Sequence, residues 1–106
     1  MVNNSKEKIS IIRKTVIRLF PDCRLILFGS RARDENSPES DYDFLVITKN
    51  TIDIREKRFY KSLLRKELAK YKIPADILIQ SEDEVQLKKE ITGHILREVL
   101  NEGIAI

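Results

Sequence analysis

The pattern most informative about the architecture is Gly29-Ser30-Arg31-Ala32-Arg33, followed after a polar loop by Ser40-Asp41-Tyr42-Asp43-Phe44-Leu45-Val46. Before it stands Arg24-Leu25-Ile26-Leu27-Phe28, an apolar run whose shortness and terminal glycine favour a buried strand over a helix. The segment from Asp41 to Thr48 is acidic at its start and apolar later, which indicates a second strand. The sequence thus predicts one strand that ends at a Gly-Ser pair and a second strand that begins at two aspartates, with one helical turn after the first.

Helices are expected around these strands. The first helix has Asn4 as its N-cap and ends before Pro21. Another begins at the cap Asp53, and a C-terminal helix begins with a capping box of Ser81 and Glu84. That last helix is predicted to be long and unbroken, with apolar positions at Leu87, Ile91, Ile95 and Val99 and its end at Gly103.

The remaining strands settle the expected topology. Ala75-Asp76-Ile77-Leu78-Ile79-Gln80 reads as a third strand, and Ile104-Ala105-Ile106 as a last edge strand. A helical crossover favours parallel pairing of strands two and three, whereas the short link between strands one and two favours antiparallel pairing. The expected fold is therefore α+β, a small mixed sheet with helices packed on it, in a single domain over residues 1–106. Asp41, Asp43 and Asp76 would then share one end of the sheet with Gly29 and Ser30.

Composition narrows the class of protein. The 106 residues are 42% hydrophobic and 35% charged, which is typical of a globular domain. The formal charge of +3 is only a weak indication of nucleic-acid binding. No apolar stretch approaches the ~18 residues of a membrane span, and the start of the chain lacks a signal-peptide core, so we expect a cytoplasmic protein. Cys23 is the only cysteine. A thiolate metal cluster is thereby excluded, and any metal would need oxygen ligands.

The paired aspartates indicate the chemistry. Asp41 and Asp43 are two residues apart on a strand and point to the same side. Ionised carboxylates about 6 to 7 Å apart repel by roughly 2 to 3 kcal/mol at an effective dielectric constant of 20, and Mg²⁺ or Mn²⁺ with Asp76 as a third ligand would offset this. The alternative is that Asp41 and Asp43 bind no metal and simply lie at the solvated start of the strand. The Gly29-Ser30 pair has two interpretations. It can offer backbone N–H groups and a hydroxyl to a phosphate, or it can be an ordinary turn at the end of a strand. Together these features describe a metal-assisted phosphoryl or nucleotidyl transfer site.

Other residues are expected to be structural. Tyr42 points away from the aspartates and should pack in the core, and His94 on the C-terminal helix is more often structural than catalytic. The remaining group is the basic run Arg55, Lys57, Arg58, Lys61, Arg65 and Lys66, which is either a solvated helix face or a surface for an acidic partner.

The two opening stretches resemble the G-S-x-A-R-G … S-D-x-D-hydrophobic signature of the minimal nucleotidyltransferases, small members of the DNA polymerase β superfamily. Ala75-Asp76-Ile77-Leu78-Ile79 is similar to the third-carboxylate strand of that family, and residues 95–103 resemble its closing helix and glycine. Asp34 stands where the family usually has glycine. A side chain at that position would strain a left-handed backbone or repel phosphates.

The resemblance implies a polymerase β-like fold and the transfer of AMP from ATP. Asp41 and Asp43 would hold two Mg²⁺ ions, and Asp76 would complete the shell of the catalytic ion and help to deprotonate the acceptor hydroxyl. Arg33 is either a phosphate contact or a surface residue paired with Asp34 or Glu35. The implied catalytic and metal-binding residues are Asp41, Asp43 and Asp76, and the implied nucleotide-binding residues are Gly29, Ser30 and Arg33.

The resemblance also implies a partner. Small stand-alone members of the family often act as antitoxins of helical HEPN-domain toxins, and some attach AMP to a tyrosine of the toxin. A toxin of this kind is the implied acceptor, in a homo- or hetero-oligomer. The rival hypothesis is a non-catalytic antitoxin that neutralises its partner by occlusion. Antibiotic modification and template-directed polymerisation are disfavoured, because we expect neither an added domain nor a segment to hold a nucleic-acid duplex.

Overall fold

The computed structural model describes residues 5–33 and 40–106, which form five helices and four strands. In chain order these are α1 (Ser5–Leu19), β1 (Arg24–Phe28), α2 (Gly29–Ala32), β2 (Tyr42–Thr48), α3 (Ile54–Ala69), β3 (Ala75–Ser81), α4 (Glu82–Lys88), α5 (Ile95–Glu102) and β4 (Ile104–Ala105). The predicted N-cap Asn4 and the residues Asp34 and Glu35 lie outside the described residues.

The strands form one mixed sheet in the order β3-β2-β1-β4. β2 pairs antiparallel with β1 and parallel with β3, and β4 pairs antiparallel with β1. The register sets Asp43 opposite Phe28 on one side and opposite Asp76 on the other. The predicted α+β class, the mixed sheet and the edge strand β4 are therefore confirmed.

Helices cover both faces of the sheet, so the central strand β2 is buried on both sides. Phe44 and Val46 belong to the core on the side of α1 and α3, whereas Leu45 and Ile47 pack with residues of α4 and α5. Each of these four side chains has no exposed surface. Burial of one such side chain stabilises the fold by roughly 1.5 to 3 kcal/mol, and β2 is accordingly an almost continuous apolar run after Asp43. Tyr42 is fully buried, as predicted.

The prediction of one long C-terminal helix is wrong, because this segment forms two separate helices, α4 and α5. Gly93 takes a left-handed conformation with φ of 82° between the two helices. The break turns α5 so that Leu96 and Val99 are buried, while Leu87 and Ile95 stay exposed. His94 is the N-cap of α5, where its Nδ1 accepts a hydrogen bond of 3.1 Å from the Leu96 amide. The structural role predicted for this histidine is confirmed.

The other two caps match the sequence pattern. Asp53 accepts a hydrogen bond of 2.8 Å from the Glu56 amide at the start of α3. Ser81 and Glu84 form a complete capping box at α4, with hydrogen bonds of 3.1 and 2.8 Å. Within residues 5–33 and 40–106, no helix combines the length and the apolar character that a bilayer span requires.

Candidate active site

Three aspartates gather at the end of the sheet where β2 and β3 begin. Asp43 and Asp76 are register partners on these parallel strands, and Asp41 lies two residues before Asp43. The negative charges of Asp76 and Asp41 both act on Asp43. Asp41 and Asp76 are exposed, whereas Asp43 is half-buried. The topology thus brings together carboxylates that are more than thirty positions apart in the sequence.

Gly29 lies directly against the Asp43 carboxylate. Its φ is 72°, a conformation that side chains disfavour, and a Cβ built on it would overlap the Asp43 Oδ2 and stand 3.1 Å from the Asp43 Cγ. The turn from β1 into α2 therefore requires glycine for two separate reasons. Ser30 follows, and its hydroxyl has no hydrogen-bond partner in the described part of the chain. This hydroxyl is available to a ligand beside the carboxylates.

The charge balance at Asp43 favours a cation. Burial raises the pKa of the Asp43 carboxyl, the negative charges of Asp76 and Asp41 raise it further, and the positive charge of Arg33 lowers it. Ionisation of Asp43 is therefore less favourable in the folded protein than in an unperturbed aspartate. A bound divalent ion would reverse this balance, because it would favour the ionised form of every carboxylate around it.

The carboxylates of the three aspartates suit Mg²⁺ chemically, although their side chains are not arranged as a complete metal site. The three aspartates supply only oxygen ligands, which are those that Mg²⁺ binds in proteins. Across residues 5–33 and 40–106, no group of three His, Cys, Asp or Glu side chains has the spacing of a preformed metal site. Instead, Asp76 Oδ1 lies 3.6 Å from Arg65 Nη2, in an exposed ion pair. Binding of a metal by all three carboxylates would require Asp76 to turn from Arg65 toward Asp43.

Arg31 connects the glycine turn to the aspartate strand. Its guanidinium carbon lies 4.1 Å from the centroid of the Tyr42 ring, and its Nη2 donates a hydrogen bond of 2.8 Å to the Ser40 carbonyl. Both contacts fall on residues that flank Asp41. Sequence reasoning missed Arg31 and Arg65, because their contacts join elements that only the folded sheet brings together.

Arg33 borders a cleft beside the glycine turn. The cleft has a volume of about 200 Å³ and lies between this turn and α5. Arg33 Nη1 is 3.7 Å from Glu102 Oε2. Both side chains are about half exposed, so this ion pair contributes little to stability and can exchange for another anion. The lining residues are Phe28, Gly29, Arg33, Ile95, Glu98, Val99 and Glu102.

Comparison with known proteins agrees with this geometry. Residues 9–106 match the family model described as a nucleotidyltransferase domain. The chain is 32% identical over 106 residues to a Methanocaldococcus jannaschii protein named "Putative protein adenylyltransferase MJ0141", with 100% of this chain and 95% of that protein covered. It is 34% identical over 80 residues to "Putative protein adenylyltransferase MJ0604" of the same organism, with 76% and 73% covered. The α+β sheet is compatible with a polymerase β-like fold, and the chain belongs to the nucleotidyltransferase domain family, as the resemblance to the minimal nucleotidyltransferases predicts.

Proposed function

We propose that this nucleotidyltransferase is a Mg²⁺-dependent protein adenylyltransferase, which transfers AMP from ATP to a hydroxyl group of a partner protein. The observation that carries the proposal is the register pairing of Asp43 with Asp76, next to the Gly29 turn. The names of the two Methanocaldococcus relatives, both protein adenylyltransferases by name, support a protein acceptor. The partner we expect is a helical HEPN-type toxin, for which this chain would serve as the cytoplasmic antitoxin.

The aspartates have distinct roles in this proposal. Asp41 and Asp43 would hold two Mg²⁺ ions with Asp76, and the bound ions would neutralise the triphosphate and favour attack at the α-phosphorus. Asp76 is open to an incoming hydroxyl group, since 62% of its side-chain surface is accessible. The acceptor oxygen forms a bond to the α-phosphorus, the bond to pyrophosphate breaks, and Asp76 takes the hydroxyl proton.

The phosphates would lie at the glycine turn. The Ser30 hydroxyl and the backbone N–H groups of Gly29 and Ser30 are suitable donors for the departing pyrophosphate. Arg33 would leave Glu102 and pair with the same phosphates, because an exposed ion pair is weak and phosphate carries more charge than one carboxylate. Asp34, which stands where the family usually has glycine, lies outside the described residues.

The experiment measures transfer of α-labelled AMP in the presence of Mg²⁺ and a co-purified partner. We expect Asp43→Asn and Asp76→Asn each to reduce transfer by about 100-fold or more, as loss of a metal ligand does. Asp83→Asn is the matched control, since Asp83 is an exposed aspartate on α4 away from the site. Equal transfer by all the variants would contradict the proposal. Partner binding without any transfer would favour the non-catalytic antitoxin.

A further inference from the structure

A second cavity lies along the outer edge of the sheet, next to α3. Its volume is about 520 Å³. Three consecutive residues of β3, Leu78, Ile79 and Gln80, line it. Successive side chains of a strand point to opposite faces, so a cavity lined by three in a row follows the backbone edge of the strand. We call this cavity the edge groove.

The strand at the edge groove can accept another strand. β3 is the last strand of the sheet and pairs only with β2 among the described strands. It is seven residues long, and neither proline nor glycine interrupts it. An edge of this length presents a row of backbone N–H and C=O groups that an extended peptide can pair with.

The edge groove is cationic. Lys57, Arg58 and Lys61 of α3 line it together with two acidic residues, Asp53 and Glu84. Both acidic side chains interact within the protein. Asp53 accepts a backbone hydrogen bond as the N-cap of α3, and Glu84 forms an ion pair with Lys57 at 2.6 Å. Within the part of the chain that the structure describes, no carboxylate pairs with Arg58 or Lys61. The groove therefore presents Arg58 and Lys61 without a carboxylate partner among the described residues, and three cations against two carboxylates, next to the outer edge of β3.

The row of cations continues to the candidate active site. Lys57, Lys61 and Arg65 are four residues apart on α3, which places them on one side of the helix at intervals of about 6 Å. Arg65 ends the row, where it contacts Asp76 at the start of β3. A chain paired along β3 would thus have one end at Asp76.

We infer that the edge groove binds an extended acidic segment of the acceptor protein as a fifth strand on β3, and so delivers its hydroxyl side chain to Asp76. Charge complementarity selects an acidic segment, and the backbone edge selects a polypeptide rather than a nucleic acid. The delivery step rests on the proposed function, whereas the docking step does not.

The test uses a fluorescein-labelled random copolymer of Glu and Tyr, with a Lys-Tyr copolymer as the control probe. Fluorescence anisotropy measures binding to the whole protein without ATP or Mg²⁺. We expect the Glu-Tyr copolymer to bind and the Lys-Tyr copolymer not to bind. The variant with Arg58→Glu and Lys61→Glu should bind the acidic copolymer at least about tenfold more weakly. The matched control has Arg13→Glu and Lys14→Glu, an equal charge change at exposed residues of α1, and should stay within about twofold of wild type.

Hydrogen exchange checks the mode of binding. The amides of Ala75–Ser81 should exchange more slowly when the acidic copolymer is bound, because a new strand would pair with them. Equal weakening in both double variants, unchanged exchange in β3, or tighter binding of a single-stranded RNA of equal charge would each overturn the inference. If ATP and Mg²⁺ are then added, a protein that binds the copolymer as expected but transfers no AMP to its tyrosines would overturn the delivery step, whereas the proposed function is tested separately by transfer to the co-purified partner.

Discussion

The carboxylate of Asp43 occupies the space that a side chain at Gly29 would fill. This contact joins the end of β1 to the start of β2, and it holds the most buried of the three aspartates against the turn proposed to bind phosphate. Because backbone and carboxylate share this space, the geometry of the turn and the position of Asp43 cannot change independently.

The first prediction concerns Gly29→Ala. The new methyl group meets both a left-handed backbone and the Asp43 carboxylate, so we expect a loss of about 2 to 4 kcal/mol in unfolding free energy and a loss of AMP transfer. Gly93→Ala is the control, because Gly93 has a similar φ of 82° but nothing within 4 Å of its Cβ position. It should cost only about 1 kcal/mol, the strain of the backbone alone, and retain activity. Urea denaturation of the two variants measures the difference, and equal losses would show that the contact with Asp43 has no effect.

The second prediction concerns stability and pH. Burial and the charges of Asp76 and Asp41 raise the pKa of Asp43 in the folded protein, so ionisation of this group opposes folding. Its favourable contribution is complete below the ordinary pKa of an aspartate and is lost as the pH rises through the raised value. Without metal, Asp43→Asn should therefore be more stable than wild type at neutral pH, by no more than about 1 kcal/mol because solvent screens a half-buried charge, and this advantage should disappear in acid.

Thermal unfolding between about pH 3.5 and about pH 8 tests the sign of this effect. Added Mg²⁺ and ATP should raise the melting temperature of wild type and leave that of Asp43→Asn unchanged. A variant less stable than wild type across the whole range would mean that Asp43 supports the metal-free fold rather than opposing it.

The third prediction concerns Arg31→Lys. Lysine keeps the positive charge but lacks the planar fork that both stacks on Tyr42 and donates to the Ser40 carbonyl. We expect a loss of about 1 to 2 kcal/mol in stability and a higher KM for ATP, because the chain just before Asp43 would be less firmly held. Arg24→Lys is the control. Arg24 forms an exposed bidentate ion pair with Glu82 through two hydrogen bonds of 2.8 Å, so its replacement also removes a planar fork but far from Asp43; it should cost no more than about 1 kcal/mol and leave KM unchanged.

The fourth prediction separates two functions of Glu84. Burial raises the pKa of this carboxyl, but hydrogen bonds from Lys57 and Ser81 outweigh burial and leave the pKa lowered. Glu84 therefore stabilises the protein above the ordinary pKa of a glutamate, and this contribution is lost as the pH falls through the lowered value. Glu84→Gln keeps an acceptor for the capping box but removes the charge, whereas Glu84→Ala removes both. We expect denaturation to show a smaller loss for Gln than for Ala, with about 1 kcal/mol between them; similar losses would assign the whole effect to the ion pair with Lys57.

The sequence predicts the sheet well because its signals are local. The apolar run of β2 starts directly after Asp43, and the Ser81-Glu84 capping box marks a helix start within four residues. The break at Gly93 was missed, because Leu87 and Ile95 lie on a regular helical repeat that holds equally for an unbroken helix. Only tertiary packing, which buries Leu96 and Val99 in place of these residues, decides between the two arrangements.

The candidate site, like the fold, is only partly predictable from the sequence. The pairing of Asp43 with Asp76 follows from the crossover topology, which the lengths of the connections indicate. The contact of Arg65 with Asp76 depends on how α3 rotates over the sheet, and no local pattern records that rotation. Arg31 likewise stacks on Tyr42, which lies eleven positions later in the sequence.

The proposed function depends on the three aspartates binding divalent ions together with a nucleotide. Calorimetric titration with a non-hydrolysable ATP analogue measures this binding without any transfer step. Wild type and the control Asp83→Asn should bind the analogue when Mg²⁺ is present and bind it at least about tenfold more weakly without Mg²⁺. Asp43→Asn and Asp76→Asn should lose that dependence on Mg²⁺. Equal affinity in all four proteins, with or without Mg²⁺, would contradict the proposed function.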